Sequence, residues 1–282
     1  MTKQRWWGIW FWPCFAATSI LLQSCSTRES ISNSVSVVDE IRSTHKLRAA
    51  YVVYPPFVMK DANSGKLSGY FIDLMSQIAD AGQFSIDYQE ATWGTMIAGL
   101  EGKRYDVVVS GIFPTIPRSF SADFGKPIMY IGLSGVAPSG QADQWTEARL
   151  QTPGLRVAVI NGEVGYEYAK RYLTKAKLTV IDSADISRAA VEVSERRADV
   201  ALAEGITMVN FAAHNPQVKA IFVDHPLEVF GCTLMVRRGD PDLVHFLDTG
   251  IDLLQTSGVL SDLDKIYKSR PDLWRDRPLP WK

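Results

Sequence analysis

Arg118 is the residue of this 282-residue chain whose surroundings most need a chemical explanation. It stands in the stretch SGIFPTIPRSFSADF, residues 110–124, in a loop that contains Pro114 and Pro117 and follows the apolar run YDVVV. A guanidinium among prolines and aromatic rings stays charged, so it must bind an anion or reach water. Two interpretations are therefore open: an arginine that binds an anionic ligand, or a surface arginine that pairs with Asp123.

Glu204 is a second candidate, because it has the opposite charge and also stands at the end of a predicted strand. It follows the apolar run VALA and precedes Gly205. Ligands of open α/β sheets bind at the carboxyl ends of the strands, where this carboxylate would be available to a cation. The alternative is that Glu204 caps the helix that starts near Ile206.

The elements that position these two residues alternate between strands and helices from Leu47 onward. The run LRAAYVV predicts a strand, and GYFIDLMSQIADAG predicts a helix, because Phe71, Leu74 and Ile78 recur at three- and four-residue spacing. Similar pairs follow as far as residue 224, and two amphipathic helices come after them. This alternation is typical of parallel sheets with right-handed crossovers, so the predicted class is α/β, with two sheets in two domains.

Composition excludes several functional classes. The chain is 46% hydrophobic and 22% charged with a net charge of −1, which is typical of a globular protein with a substantial core. A pI near 6.4 and the absence of a basic patch in the sequence argue against nucleic acid as a partner. The four histidines and three cysteines show no metal-ligand spacing, so we predict neither a metal nor a cofactor.

Residues 1–25 have the pattern of a secretory signal. A short basic segment precedes the uncharged apolar run WWGIWFWPCFAATSILL, residues 6–22, and small residues follow it. The end of this segment resembles the bacterial lipobox, in which Leu22, Ser24 and Cys25 would mark cleavage and lipid attachment. The alternative is an uncleaved anchor helix, for which the run is slightly short.

The next segment, residues 26–46, is rich in serine and poor in large apolar residues, which predicts a flexible tether. Cys14 would leave with the signal and Cys25 would carry the lipid, so Cys232 would remain alone and no disulfide would form. Its apolar surroundings, VFGCTLMV, predict a buried and unreactive thiol.

The order and spacing of several stretches resemble the extracellular solute-binding proteins of family 3, the polar amino acid receptors of bacterial ABC importers. The resemblance covers about residues 47–268. The matching stretches are YVVYPPFVM, GKLSGYFIDLM, ATWGTMIAGLEGKRYDVVVSGIFPTIPR, ADFGKPIMY, RADVALAEG and SGVLSDLDKIYK. The resemblance implies a type II periplasmic binding protein fold, in which two α/β lobes, joined by a hinge of two crossing strands, close on a ligand.

This resemblance also implies an organisation and a set of partners. Residues 47–133 and 228–270 would form lobe 1, residues 134–227 would form lobe 2, and residues 271–282 would be a C-terminal tail. The ligand would be an amino acid or a similar small carboxylate, delivered to the permease subunits of an ABC importer. The protein would be exported to the periplasm or cell surface and held at the membrane by its lipid.

The family's binding residues are carried over one by one. Arg118 stands where the family binds the ligand carboxylate, and its planar fork suits two oxygens. Glu204 stands five residues after Asp199, where the family places an acid, usually aspartate, for the ligand ammonium. Tyr54 and Trp93 stand where the family packs a ligand side chain between rings, although Trp93 could also belong to the core.

Ser110 and Gly111 end the strand before the arginine loop, whose backbone N–H groups would add donors. Two positions depart from the family pattern. Phe113 stands where many relatives have a hydroxyl residue, and Glu163, in NGEVG, replaces a neutral donor. If Glu163 points into the cleft, a ligand with a cationic side chain becomes plausible. We expect it to point outward, where it would only complement a helix N-terminus.

Two other functions remain open. Cyclohexadienyl dehydratases resemble this chain in the same motifs, but they use a glutamate three residues beyond the ammonium-binding acid, where this chain has Thr207. No histidine lies beside a candidate serine or cysteine nucleophile, so we predict no catalytic residues. The other function is a ligand sensor. We predict no transmembrane helix after residue 25, so a sensor would need another chain.

Overall fold

The computed structural model of the chain describes residues 36–267 and the backbone of residues 274–275. The predicted signal with Cys25, the first part of the tether and most of the C-terminal tail lie outside the described residues.

The described strands are β1 (Lys46–Tyr51), β2 (Met59–Lys60), β3 (Leu67–Ser68), β4 (Ser85–Glu90), β5 (Val107–Ile112), β6 (Ala122–Phe124), β7 (Met129–Pro138), β8 (Arg156–Ile160), β9 (Lys177–Ile181), β10 (Val200–Glu204), β11 (Val218–Ile221), β12 (Val229–Arg237) and β13 (Trp274–Arg275). The described α-helices are α1 (Val37–Thr44), α2 (Tyr70–Gly82), α3 (Met96–Glu101), α4 (Ile116–Ser119), α5 (Glu147–Leu150), α6 (Val164–Tyr172), α7 (Ser187–Ser194), α8 (Gly205–His214), α9 (Pro241–Thr256) and α10 (Val259–Tyr267), and a 3₁₀ helix covers Ser139–Gln144.

Lobe 1 is built on the strands β4, β1 and β5, which pair in parallel in that order. All six positions of β5 are buried, as expected for a parallel strand covered on both faces. Helix α2 packs on this sheet and buries Phe71, Leu74 and Ile78, so the predicted helix and its apolar face are confirmed. The site loop that contains Arg118 leaves this sheet directly after β5.

Lobe 2 repeats the pattern with β10, β8 and β9, which are also parallel. All five positions of β10 are buried, and the strand ends at Glu204, the residue before α8. Strand β8 ends at Ile160, just before the turn that leads into α6. The carboxyl ends of both strands therefore bring their following residues to the same edge of the sheet.

Two long strands, β7 and β12, connect the lobes. They pair antiparallel over Met129–Cys232, Tyr130–Gly231, Ile131–Phe230 and Gly132–Val229. The later part of β7 then pairs with β10, whereas the later part of β12 pairs with β5. The two predicted sheets are thus joined by two crossing strands into one continuous strand order. The backbone of β13 adds to the free edge of β7, so part of the predicted tail belongs to this hinge.

The prediction of a flexible tether is wrong for residues 36–46. Helix α1 occupies this segment, and its apolar residues Val37 and Ile41 are buried. Asp240, at the start of α9, accepts hydrogen bonds from the Ser36 hydroxyl at 2.9 Å and the Val37 N–H at 2.8 Å. Two buried apolar side chains one turn apart and hydrogen bonds to one carboxylate thus connect this short helix to lobe 1.

Cys232 lies in β12 and is free and buried, as predicted. Burial raises the pKa of its thiol well above the ordinary value, which keeps it protonated and unreactive at neutral pH.

Candidate functional site

A small cavity lies between the two lobes, and seven of the residues predicted to bind the ligand line it. Its volume is about 10 Å³, room for about one water molecule, so a larger ligand enters only when the lobes move apart. The lining residues are Tyr54, Trp93, Gly111, Phe113, Arg118, Glu163, Val164, Ile186 and Glu204. Charged groups of opposite sign from the two lobes therefore meet in one closed space.

Arg118 reaches this cavity from the short helix α4, whose first turn is capped by Thr115. The side chain is buried, so the interpretation of a surface arginine paired with Asp123 is wrong. Its guanidinium donates to the carbonyl oxygens of Phe113 and of Gly162, each at 2.5 Å. Burial lowers the pKa of Arg118, and the nearby Glu163 carboxylate opposes that shift. A guanidinium has five N–H donors, so further donors remain for a ligand.

Glu204 caps helix α8 and also lines the cavity. Its carboxylate accepts hydrogen bonds from the backbone N–H groups of Ile206 and Thr207, both at 2.7 Å. The capping interpretation is therefore confirmed, but each oxygen keeps a second lone pair for another donor. Burial raises the pKa of Glu204, and the hydrogen bonds from Thr207 and Ile206 oppose this shift.

Glu163 points into the cleft, so the expectation that it points outward is wrong. Its carboxylate accepts from the N–H of Gly165 at 2.6 Å and from the N–H of Glu204 at 3.2 Å. The side chain turns inward because it caps α6 and bonds the last residue of β10 at the same time. Burial raises the pKa of Glu163 to about 8, with the Glu204 carboxylate adding to the shift and Arg118 opposing it.

Two aromatic rings form the wall of the cavity on the side of lobe 1. Tyr54 and Trp93 meet edge to face, with ring centroids 5.6 Å apart. The indole N–H of Trp93 donates to the carbonyl of Ala184 at 3.1 Å and so links the lobes. The Tyr54 hydroxyl is buried and has no hydrogen-bond partner among the described residues, although it lies close enough to Glu204 to affect the pKa of both groups.

Ser110 is not brought to the cavity. Its hydroxyl accepts from the Val52 N–H at 2.7 Å and donates to the Val52 carbonyl at 3.0 Å, which joins β5 to the segment after β1. The next residue, Gly111, lines the cavity at a φ of +65°, where a Cβ would collide with the ring of Phe71. Phe113 presents an apolar face and stacks on Phe230, with ring centroids 5.4 Å apart.

Several groups of the site were not predicted. Val164 and Ile186 line the cavity, and the carbonyls of Gly162 and Ala184 accept hydrogen bonds from Arg118 and Trp93. Val164 could have been found, because it adjoins Glu163 at the predicted helix start. The backbone carbonyls have no side-chain signature in a sequence.

A larger cavity of about 610 Å³ adjoins the small one and shares Tyr54 and Ile186 with it. Its other walls include apolar side chains such as Val53 and Phe211 and polar ones such as Asn210. Tyr54 and Ile186 therefore contact both cavities, whereas Glu163 and Arg118 line only the small one.

Within residues 36–267 we find no cluster of three histidine, cysteine or acidic residues that could hold a metal. In the same range, none of the helices has the length and apolar character needed to cross a membrane.

A family model described as bacterial extracellular solute-binding proteins, family 3, matches residues 47–269, which is most of the chain. The chain belongs to this family. Like other solute-binding proteins of family 3, it has the two-lobe type II periplasmic binding protein fold. The solved structure of the ancestral amino acid-binding protein AncCDT-1, a precursor of cyclohexadienyl dehydratase, superposes with a TM-score of 0.72 at 26% identity, covering 82% of this chain and 99% of that one.

Curated relatives of this solute-binding protein are similar over most of their length. A probable histidine-binding protein of Neisseria gonorrhoeae is 25% identical over 78% of this chain and 80% of its own. Cyclohexadienyl dehydratase of Pseudomonas aeruginosa is 22% identical over 82% of this chain and 85% of its own. The chain is thus similar both to a protein named for binding an amino acid and to one named as an enzyme.

Proposed function

We propose that this chain is the substrate-binding protein of an ABC importer and holds an amino acid, or a similar small zwitterion, between its lobes. The observation that carries the proposal is that buried Arg118, from lobe 1, and buried Glu204, from lobe 2, line one cavity. The names of relatives that bind histidine and arginine support it. In this proposal Arg118 binds the carboxylate, Glu204 binds the ammonium, and Tyr54, Trp93, Gly111 and Phe113 enclose the rest.

Magnitudes favour these roles. A receptor with micromolar affinity has about 8 kcal/mol of binding free energy, and removing one partner of a desolvated ion pair costs on the order of 2–5 kcal/mol. Losing either charged residue therefore nearly abolishes recognition. Because the ligand contacts both lobes only when they are closed, its differential affinity for the closed form drives closure.

The experiment is a thermal-shift screen of the protein against the common amino acids, since a ligand that binds only the native state raises the melting temperature. We expect Arg118→Ala to remove the ligand-induced shift. The matched control is Arg42→Ala, which removes an exposed arginine of α1. Absence of any shift in the wild type, or an unchanged shift in Arg118→Ala, would contradict the proposed site.

We also propose that residues 1–25 are a signal, that Cys25 carries lipid and that the chain is exported to the periplasm or cell surface. The extracellular character of the family supports export. ABC permease subunits are the proposed partners. Neighbouring genes for a permease and an ATPase would support an importer. A neighbouring gene for a membrane kinase or cyclase, without genes for a permease and an ATPase, would favour a sensor.

A second candidate, a dehydratase, is favoured by the buried Glu163, because a carboxyl group with a pKa of about 8 can act as a general acid at neutral pH. One observation argues against a dehydratase. The dehydratases use a glutamate three residues beyond the ammonium-binding acid, and this chain has Thr207 at that position. We therefore propose that the protein is not an enzyme. Incubation with prephenate or arogenate tests this, and product formation that Glu163→Gln abolishes would establish the enzyme instead.

A further inference from the structure

We propose that Glu163 makes the cleft selective for amino acids that carry a second cationic group, such as a guanidinium, an ammonium or an imidazolium. This inference rests on the proposed amino acid-binding function and specifies its ligand class.

The first step is the charge of the cavity. Three charged side chains that line it are almost fully buried: Arg118 is 5% exposed, Glu163 is 3% exposed and Glu204 is 1% exposed. One guanidinium and two carboxylates give a net charge of −1, and a zwitterion with a neutral side chain adds none. A buried uncompensated charge is strongly unfavourable. The ligand must therefore bring a second positive charge, or one carboxylate must take up a proton.

The second step is the free hydrogen-bonding capacity of the cavity. Each oxygen of Glu163 accepts one backbone N–H and keeps another lone pair. The Tyr54 hydroxyl lines the same cavity, is 2% exposed and forms no hydrogen bond with the described residues. The N–H groups of a second cationic group would donate hydrogen bonds to the Glu163 carboxylate and to the Tyr54 hydroxyl oxygen. An apolar ligand side chain would leave both without these hydrogen bonds.

The third step is the titration of Glu163. Three described groups face it across the cavity: Glu204 of β10, Arg118 of α4 and Tyr54 of the segment after β1. Burial raises the pKa of Glu163 to about 8 in this structure, and water that reaches the carboxylate when the lobes move apart would lower the pKa toward its ordinary value of 4.5. Closure on a neutral amino acid therefore favours proton uptake by Glu163.

The sign of the pH dependence follows from this raised pKa. Affinity for a neutral amino acid is therefore highest at low pH, where Glu163 is protonated in both forms, and falls as the pH rises towards 8. A cationic side chain beside Glu163 keeps the carboxylate ionised, so no proton is taken up. Affinity for a cationic amino acid is accordingly almost independent of pH over the same range.

The test compares ligands that differ in charge and little in shape. Arginine is paired with citrulline, and lysine with norleucine, with glutamine as a further neutral ligand, because guanidinium and ammonium groups stay charged between pH 6 and 8. Thermal shifts identify which of them bind, and calorimetry at pH 6, 7 and 8 gives affinities and proton uptake. We expect cations to bind at least tenfold more tightly at pH 8, and we expect Glu163→Gln to remove this preference.

Glu195→Gln is the matched control, because it makes the same change in lobe 2 at an exposed residue that does not line the cavity. It should behave as the wild type. Equal affinity for cationic and neutral ligands at every pH, or a cation preference that survives in Glu163→Gln, would overturn the inference alone. A wild type that binds no amino acid would overturn the proposed function and the inference together. If Glu163→Gln fails to fold, the paired ligands in the wild type decide.

Discussion

Tyr54 carries a hydroxyl that is buried without a hydrogen-bond partner among the described residues. Burial of an unpaired hydroxyl costs about 1–3 kcal/mol in protein mutational data. Tyr54→Phe should therefore raise the free energy of unfolding of the ligand-free protein by about 1 kcal/mol, measured by urea denaturation. The matched control is Tyr105→Phe, because the equally buried Tyr105 hydroxyl donates to the Met96 carbonyl at 2.9 Å. Tyr105→Phe should lower the free energy of unfolding by about 1 kcal/mol, because it removes a hydrogen bond. A change of the free energy of unfolding in the same direction in both variants would contradict an unpaired Tyr54 hydroxyl.

Glu204 combines a capping role with a proposed binding role, and two substitutions separate them. Glu204→Ala should lose about 0.5–2 kcal/mol of stability, because the N–H groups of Ile206 and Thr207 lose their acceptor. Glu204→Gln keeps one acceptor oxygen and should lose less, as measured by urea denaturation. Both should lose the ligand-induced thermal shift, because neither offsets an ammonium charge. A glutamine variant that binds as the wild type does would remove Glu204 from the site.

The residues that the sequence could identify are those whose charge conflicts with an apolar neighbourhood. Arg118 and Glu204 each follow a buried strand, and that conflict is visible without coordinates. The orientation of Glu163 was not predictable, because a glutamate before a helix has the same sequence pattern whether its side chain faces water or the cleft. Ser110 shows the converse, since a hydroxyl at the expected place bonds Val52 instead.

At the scale of elements, prediction succeeded where apolar periodicity extends over several turns. Helix α2 has seven buried residues and was found, whereas α1 has only Val37 and Ile41 and was predicted as a tether. The serine-rich composition of that segment is typical of a flexible tether, so the helix was not predicted. Its stability depends on Asp240, more than two hundred residues away in the chain, and no local pattern can reveal such a contact.

Asp240 provides a test of this element. Its carboxylate caps α9 through the Leu243 N–H at 3.1 Å and accepts from Ser36 and Val37 at the start of α1. Asp240→Ala should cost roughly 2–4 kcal/mol, because a cap is lost and a buried N–H is left unpaired. Hydrogen exchange should show that the α1 amides lose protection. The control is Asp242→Ala, an exposed acid in the same turn, for which we expect a change within about 0.5 kcal/mol. Equal losses in both variants would contradict this role.

At the scale of the whole molecule, closure depends on a few contacts between loops of opposite lobes. Trp93 and Arg118 of lobe 1 donate to carbonyls of Ala184 and Gly162 in lobe 2. The resemblance to a known family implied two lobes and a hinge, but it did not imply these bonds, because they involve backbone atoms. The exact lobe boundaries, 133/134 and 227/228, stay a prediction.

Gly162 is the position where the closed form can be tested most directly. It has a φ of +75°, and a Cβ there would lie 2.6 Å from the carbonyl oxygen of Trp93 and 3.0 Å from the backbone N of Gly94, on the opposite lobe. Neither backbone atom can move aside as a flexible side chain could. Gly162→Ala should therefore hold the lobes further apart than they are in this structure.

The control for backbone strain is Gly154→Ala, which has a similar φ of +77° in lobe 2 and nothing within 4 Å of the added methyl group. Both variants lose the glycine's conformational freedom, and both should be destabilised by a similar amount of about 1 kcal/mol. Only Gly162→Ala should show a larger radius of gyration by small-angle X-ray scattering, with and without ligand. A Gly162→Ala protein as compact as Gly154→Ala would mean that these loops do not limit closure.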